Sequence, residues 1–256
     1  MGSSTTNRRP PRKSTPPARL NGGTELALPL KGPIEFAAAV AHDMRGPLTT
    51  IATSAELLEQ ELQPDDSTHL ITVIQRQAQR LQNMIQDLVE YANLESGEIR
   101  LHPAVVDLTD LVREICKEYQ EFQPTHRLMV ELPASGLKVR ADRDKLRRML
   151  ENLLNNAFKY SPRGSTVLAR LRMPDSAHPE VALEVEDEGP GIPEEMRTVV
   201  FKPFVRLAGA NGGGQGLGLH IVKSLAEAHG GRAWVESGAA DGARFCIALP
   251  ATDEGH

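Results

Sequence analysis

The chain has 256 residues, of which 40% are hydrophobic, 25% charged and only 4% aromatic, with a net charge of −5. This is the composition of a globular protein with room for about two domains, and the shortage of aromatics suits helices packed through Leu, Ile and Ala. Cys116 and Cys246 stand far apart without a CxxC pairing, which argues against a disulfide framework or a cysteine zinc site. No apolar run approaches the roughly 18 to 20 residues of a membrane span, and the N-terminus lacks the apolar segment of a signal peptide. The sequence therefore predicts a cytoplasmic protein.

Residues 1–32 are rich in Pro, Ser, Arg and Gly, with too few apolar side chains to offset ordering entropy, and are expected to form a disordered basic tail. Arg8, Arg9, Arg12, Lys13, Arg19 and Lys31 against Glu25 give this segment +5, so the remainder must carry −10. An acidic body does not suggest a nucleic-acid binder.

A long amphipathic helix is predicted over Pro33–Leu62. Phe36, Val40, Met44, Leu48, Ile51, Ala55, Leu58 and Leu62 step by threes and fours and form one apolar stripe. His42 lies off it: at about 100° per residue it sits roughly 200° from both Val40 and Met44, turned outward. Asp43 and Arg45 flank it. Pro47 cannot donate to the carbonyl of Asp43 and is expected to loosen or bend the helix there. Alone, a surface His beside an Asp is most often a solvated helix face.

A turn at Gln63-Pro64-Asp65-Asp66 leads to a second helix, with Leu70, Ile74, Ala78, Leu81, Ile85, Leu88 and Ala92 on one face, stopping at Ser96-Gly97. One such hairpin buries too little of its stripe, so two copies are expected to associate as a four-helix bundle, making the protein a homodimer.

From Ile99 the pattern becomes mixed. Strands are expected near 99–105 and 127–132, flanking a helix capped by Asp107 with Leu108, Leu111, Val112, Ile115 and Tyr119 inside. A helix over Asp142–Tyr160 follows. Val167, Ala169, Leu171 and Met173, then Val181, Leu183 and Val185, alternate with charged residues as two half-buried strands. A helix over Leu217–Ala228 and strands near 232–237 and 243–249 complete an α/β sandwich.

Three stretches of this second region carry chemistry. Asn152, Asn156 and Lys159 share one face of their helix, where carboxamide oxygens and an ammonium suit a hydrated Mg²⁺ carrying phosphates. Asp187-Glu188-Gly189-Pro190-Gly191-Ile192-Pro193 follows a strand; its glycines permit close approach of a planar ligand, and the Asp187 carboxylate could accept from an adenine amine. Gly212-Gly213-Gly214-Gln215-Gly216-Leu217-Gly218-Leu219 opens into a helix, offering bare amides to polyphosphate. It is not a P-loop, because no Gly-Lys-Ser/Thr follows. Singly these read as a solvated face, a turn and a linker.

Taken together, in this order, they are far more specific. His42-Asp43-x-Arg45-x-Pro47-Leu48 resembles the phosphoacceptor box of the sensor histidine kinases of two-component systems. Asn152-Leu-Leu-x-Asn156-Ala-x-Lys159-Tyr160-Ser161 resembles their Asn-containing box, Asp187-x-Gly189-x-Gly191-Ile192 their first glycine box, Phe201-x-x-Phe204-x-Arg206 their phenylalanine box, and Gly214-x-Gly216-Leu217-Gly218-Leu219 their second.

The resemblance implies an α+β chain: a HisKA-like helical-hairpin dimerisation and phosphoacceptor domain over 33–97, a Bergerat-fold ATP-binding domain over 98–250, and tails at 1–32 and 251–256. It implies ATP and Mg²⁺ as ligands, with Asn152 and Asn156 near the metal, Lys159 near phosphate, Tyr160 against the nucleotide, Asp187 at adenine, Arg206 a further phosphate contact, and a mobile lid between Pro193 and Gly216. It also implies that His42 takes the γ-phosphoryl group, with Asp43 orienting its ring, and passes it to an Asp on a response-regulator receiver domain in a separate chain. An upstream sensor or activator protein is a further expected partner. Four residues after the phosphoacceptor many relatives carry Thr or Asn, thought to position water for dephosphorylating the regulator; Gly46 stands there instead, so weak phosphatase activity is expected. The competing readings are a catalytically silent ATP-binding dimeric scaffold, and a serine kinase of the anti-sigma type, which would lack the His42 hairpin.

Overall fold

A computed structural model describes residues 33–60, 63–97, 99–122, 125–174, 180–206 and 215–251. The predicted tail at 1–32 and the glycines Gly212, Gly213 and Gly214 lie outside the described residues. Helices α1 (Pro33–Leu58) and α2 (Pro64–Glu95) form the expected antiparallel hairpin. Helix α1 ends earlier than Leu62 because its chain tightens into i−3 bonds, Glu59 to Glu56 and Gln60 to Leu57. Gln63 then adopts an extended ψ of 149° ahead of Pro64, the conformation that a following proline enforces. Among the described residues no helix is long and apolar enough to cross a membrane.

The seam inside the hairpin differs from the predicted stripe. Val40, Pro47 and Ser54, seven residues apart, are buried, and Met44, Ile51 and Leu58 are half-buried between them. Leu48, placed in the stripe by its spacing, is 55% exposed, and Ala55 is exposed too. On α2 the same holds: Met84 is buried, whereas Ile85 and Ala92 are exposed. The stripe is wide enough for two neighbours, and within one chain the partner helix covers only its heptad-spaced half. The helix runs unbroken through Pro47, while Thr49 and Thr50 hydroxyls donate back to the carbonyls of Arg45 and Gly46 at 2.9 and 3.1 Å.

The remainder is two layers. Strands β1 (Ala104–Asp107), β2 (Arg127–Glu131), β3 (Lys138–Ala141), β4 (Thr166–Arg172), β5 (Glu180–Asp187), β6 (Arg232–Ser237) and β7 (Ala243–Pro250) are joined by helices α3 (Leu108–Phe122), α4 (Arg143–Tyr160) and α5 (Gly218–Ala228). The main sheet has the order β2-β4-β5-β7-β6, parallel between β2 and β4 and antiparallel elsewhere. Strands β1 and β3 form a separate antiparallel pair. The first strand lies at 104–107 instead of 99–105, and β3 was not predicted: four residues with only Val139 and Ala141 turned inward carry too short a pattern to read.

All three helices pack on one sheet face, and Leu111, Ile115, Leu146, Met149, Leu150, Leu153, Leu183, Ile221 and Leu225 fill the space between. Strand β5 is buried on both faces, not half-buried, because Arg170 and Arg172 fold over the outer face and reach Glu184 at 3.3 and 2.9 Å. Capping is as the sequence suggests. Asp107 Oδ1 accepts from the Asp110 amide at 3.0 Å, and Asp142 Oδ1 from Asp144 and Lys145 at 3.0 and 3.2 Å.

The two parts touch along the C-terminal half of α2. Lys145 Nζ lies 2.6 Å from Glu90, whose side chain is 6% exposed, and Arg148 pairs with Asp87. The Tyr91 ring meets Phe204 edge-on at 5.0 Å and His220 at 5.8 Å. Burial pushes the Asp87 carboxyl up to about 6, against the lowering effect of Arg148 and helped by the neighbouring charge of Glu90.

Candidate nucleotide and phosphoacceptor sites

A cavity of about 780 Å³ opens between α4, the loops after β5, the start of α5 and the flank of α2. Asn152, Asn156, Lys159, Tyr160, Asp187, Gly191, Ile192, Arg206, Gly216, Leu217, Gly218 and Leu219 all line it. The α4 residues arrive there because the helix turns Leu146, Leu150, Leu153 and Ala157 into the core, leaving the polar stripe on the adjacent face. Gly189 lies beside Asp187 without lining the cavity, and Phe204 is turned against Tyr91. Gly214 lies outside the described residues.

Asp187 ends β5 and is 4% exposed. Its Oδ1 accepts from the Gly189 amide at 2.8 Å and from the Ala243 amide at 3.5 Å, which leaves Oδ2 for a ligand. Burial raises this carboxyl above the usual carboxylate range, with the two amides opposing the rise. Gly191 follows at φ +66°, where a Cβ would collide with the carbonyl of Asp241. Gly216, at φ +71°, would bring a Cβ to 2.7 Å from the carbonyl of Val205. Both turns therefore require glycine, and both fold the chain tightly along the cavity wall.

Helix α5 starts at Gly218 with no side-chain cap, so its first amides are open to an anion. Asn152 is 7% exposed and its Nδ2 has no partner. Gln215 is half-buried, and neither its Oε1 nor its Nε2 is bonded. Buried polar atoms left unmatched are costly, and three of them at one cavity fit a polar ligand. Lys159 Nζ donates to the Tyr160 hydroxyl at 2.8 Å and lies 4.6 Å from the ring centroid. Among the described residues no three of His, Cys, Asp and Glu converge as metal ligands. A divalent cation here would draw on carboxamide oxygens, water and phosphates, a donor set of the kind Mg²⁺ takes.

His42 sits apart. Its side chain is 81% exposed, and Nδ1 lies 3.6 Å from Asp43 Oδ1, close enough for attraction but beyond a hydrogen bond. With Nδ1 towards Asp43, Nε2 is the nitrogen presented outward. A groove of about 820 Å³ runs beside it, lined by Asp43, Arg45, Thr49, Thr50, Thr53, Ser54, Gln77 and Arg80.

Residues 34–97 match the His Kinase A phospho-acceptor domain, and residues 141–253 match the histidine kinase-, DNA gyrase B- and HSP90-like ATPase domain. Both halves of one architecture are present in order. The chain belongs to the sensor histidine kinase family. A relative is the adaptive-response sensory kinase SasA of Synechococcus sp. (strain JA-2-3B'a(2-13)), 33% identical over 83% of this chain and 58% of its own length. Among solved structures, the mycobacterial sensor histidine kinase MprB is 31% identical with a TM-score of 0.51, over 58% of this chain and 97% of that one. The histidine kinase ThkA, solved in complex with the response regulator protein TrrA, is 27% identical with a TM-score of 0.63, over 87% of this chain and 63% of that one. The chain spans well under two thirds of the curated relatives it matches, from 15% of one to 58% of another.

The α2 wall of the cavity, with Arg76, Gln79, Arg80, Asn83, Met84 and Asp87, escapes sequence reasoning. These residues read as the outer face of a hairpin, and only docking turns them to a ligand site. Gln215 was also missed, although a long polar side chain between two glycines was a signal for it.

Proposed function

We propose that the chain is an ATP-dependent protein-histidine kinase that phosphorylates His42 and passes the phosphoryl group to an Asp on the receiver domain of a separate response regulator. The observation that carries this reading is the pairing in one chain of an outward His42 with a cavity of unmatched polar atoms around a buried Asp187. Residues 33–97 present the acceptor and residues 98–250 bind the donor.

Asp187 Oδ2 accepts from the adenine amine, and Ile192 and Tyr160 flank the nucleotide. Lys159, Arg206 and the amides that begin α5 meet the phosphates. Asn152 and Asn156 would hold Mg²⁺, which supplies charge neutralisation on the phosphates when bound. The lone pair on His42 Nε2 attacks the γ-phosphorus of ATP in line. The N–P bond forms as the bond to the bridging β–γ oxygen breaks, and ADP leaves with that electron pair. The Nδ1 proton stays on the ring, which becomes cationic, and Asp43 closes on it to offset the charge. Attack needs a neutral ring, whose Nε2 then carries the free lone pair.

Leu48, Ile71, Ile85 and Val89, all exposed and apolar on the hairpin, support a homodimeric four-helix bundle. The likeness to a kinase solved with its response regulator supports the receiver partner. Gly46, with no neighbour within 4 Å of an added Cβ, offers no side chain to position water, so phosphatase activity towards the regulator is weak. The test is incubation with Mg²⁺ and γ-labelled ATP. An acid-labile, base-stable label that vanishes in His42→Gln is expected; ATP binding without any label would overturn the reading in favour of a silent scaffold.

A further inference from the structure

Among the described residues, Arg80 alone lines both the nucleotide cavity and the His42 groove. It stands on α2 across the hairpin from His42, one turn beyond Arg76, which also faces the nucleotide cavity. The nearby carboxylates are engaged elsewhere: Asp87 pairs with Arg148, and Asp43 lies against His42. Arg80 has no ion pair with a described residue. An exposed arginine is ordinarily just solvated. This one stands at the border shared by the cavity and the groove.

The cations on the ATPase-like part do not cover that point. Lys159, hydrogen-bonded to Tyr160 at 2.8 Å, and Arg206 line the nucleotide cavity but not the His42 groove. A guanidinium is permanently charged, and its planar fork matches phosphate oxygens two at a time. Resting on the reading of the chain as a histidine kinase, we propose that Arg80 is a phosphate-handling residue of autophosphorylation: it holds γ-phosphoryl oxygens as the group passes from the nucleotide cavity to His42 Nε2. It makes and breaks no covalent bond. It offsets charge on the oxygens as the P–O bond to ADP opens and the N–P bond forms.

The experiment measures initial autophosphorylation rates over a range of ATP concentrations, and ATP affinity by titration, for the full native chain, Arg80→Ala and Arg80→Lys. Removing one preorganised donor should cut the saturated rate of Arg80→Ala by about 10²-fold, with ATP affinity little changed and Arg80→Lys recovering part of the rate. An undiminished saturated rate in Arg80→Ala, or a loss confined to ATP affinity, would overturn the proposal while leaving the kinase reading intact. A native chain that takes no label would overturn both.

Discussion

His42 and Asp187 are opposites in how they are held. The first is 81% exposed with one neighbour at 3.6 Å; the second is 4% exposed, its carboxylate fixed by backbone amides and its flanking turn by a positive-φ glycine. A group that must meet a donor and then a separate acceptor gains from being unencumbered. A group that must recognise one fixed ligand gains from being built in, because preorganisation lowers the entropy lost on binding. The hairpin end is therefore tolerant, and the cavity is not.

Asp187→Asn probes the built-in end. It keeps an oxygen for the Gly189 amide but turns an amide donor towards the amine of the adenine proposed to bind there, and leaving a buried polar group unmatched costs about 1 to 3 kcal/mol. ATP affinity should fall roughly 10- to 100-fold in a calorimetric titration; unchanged affinity would remove Asp187 from adenine recognition. The native carboxyl also predicts a pH dependence. Its folded value is raised, so its contribution to stability is fully present below the unfolded value and is lost as pH rises through the folded one. Nucleotide affinity runs the other way, falling on acidification as the acceptor takes up its proton.

Lys145→Met tests the joint between the two regions. It strips the main partner from Glu90, leaving a buried carboxylate with only Arg148 Nε at 3.4 Å. Stranding a buried charge outright costs about 3 to 5 kcal/mol, and with Arg148 still beside Glu90 the loss is smaller than that, enough for hydrogen exchange in the C-terminal half of α2 to accelerate. Unaltered exchange would mean that the aromatic contact of Tyr91 with Phe204 suffices to hold the joint. The smallest effect belongs to Gly46→Ala, at the tolerant end. With nothing within 4 Å of the new Cβ, it should stabilise α1 by about 0.5 to 1 kcal/mol, read as a small rise in melting temperature. A fall would expose a conformational need for glycine beside Pro47.

How far the sequence could be read follows the same divide. Local rules reached the capped helices, the Asn152-Asn156-Lys159 stripe and the outward His42, because each depends on a few neighbouring residues. Leu48, Ala55, Ile85 and Ala92 lie on the predicted stripe yet outside the seam within one chain, since periodicity shows that a face is apolar but not which neighbour covers it. The pair β1 and β3 depends on a partner about 34 residues away, and the α2 wall with Arg76, Arg80 and Asp87 depends on docking of one part against another. Neither leaves a local trace.

Phosphorus NMR of the full chain with ATP and Mg²⁺, recorded beside His42→Gln, tests the central claim most directly. The account predicts a resonance from phosphorus bonded to imidazole nitrogen in the native chain and none in His42→Gln, with the two chains melting alike. ADP and inorganic phosphate accumulating with no protein-bound phosphorus, or a protein-bound signal that survives in His42→Gln, would contradict it.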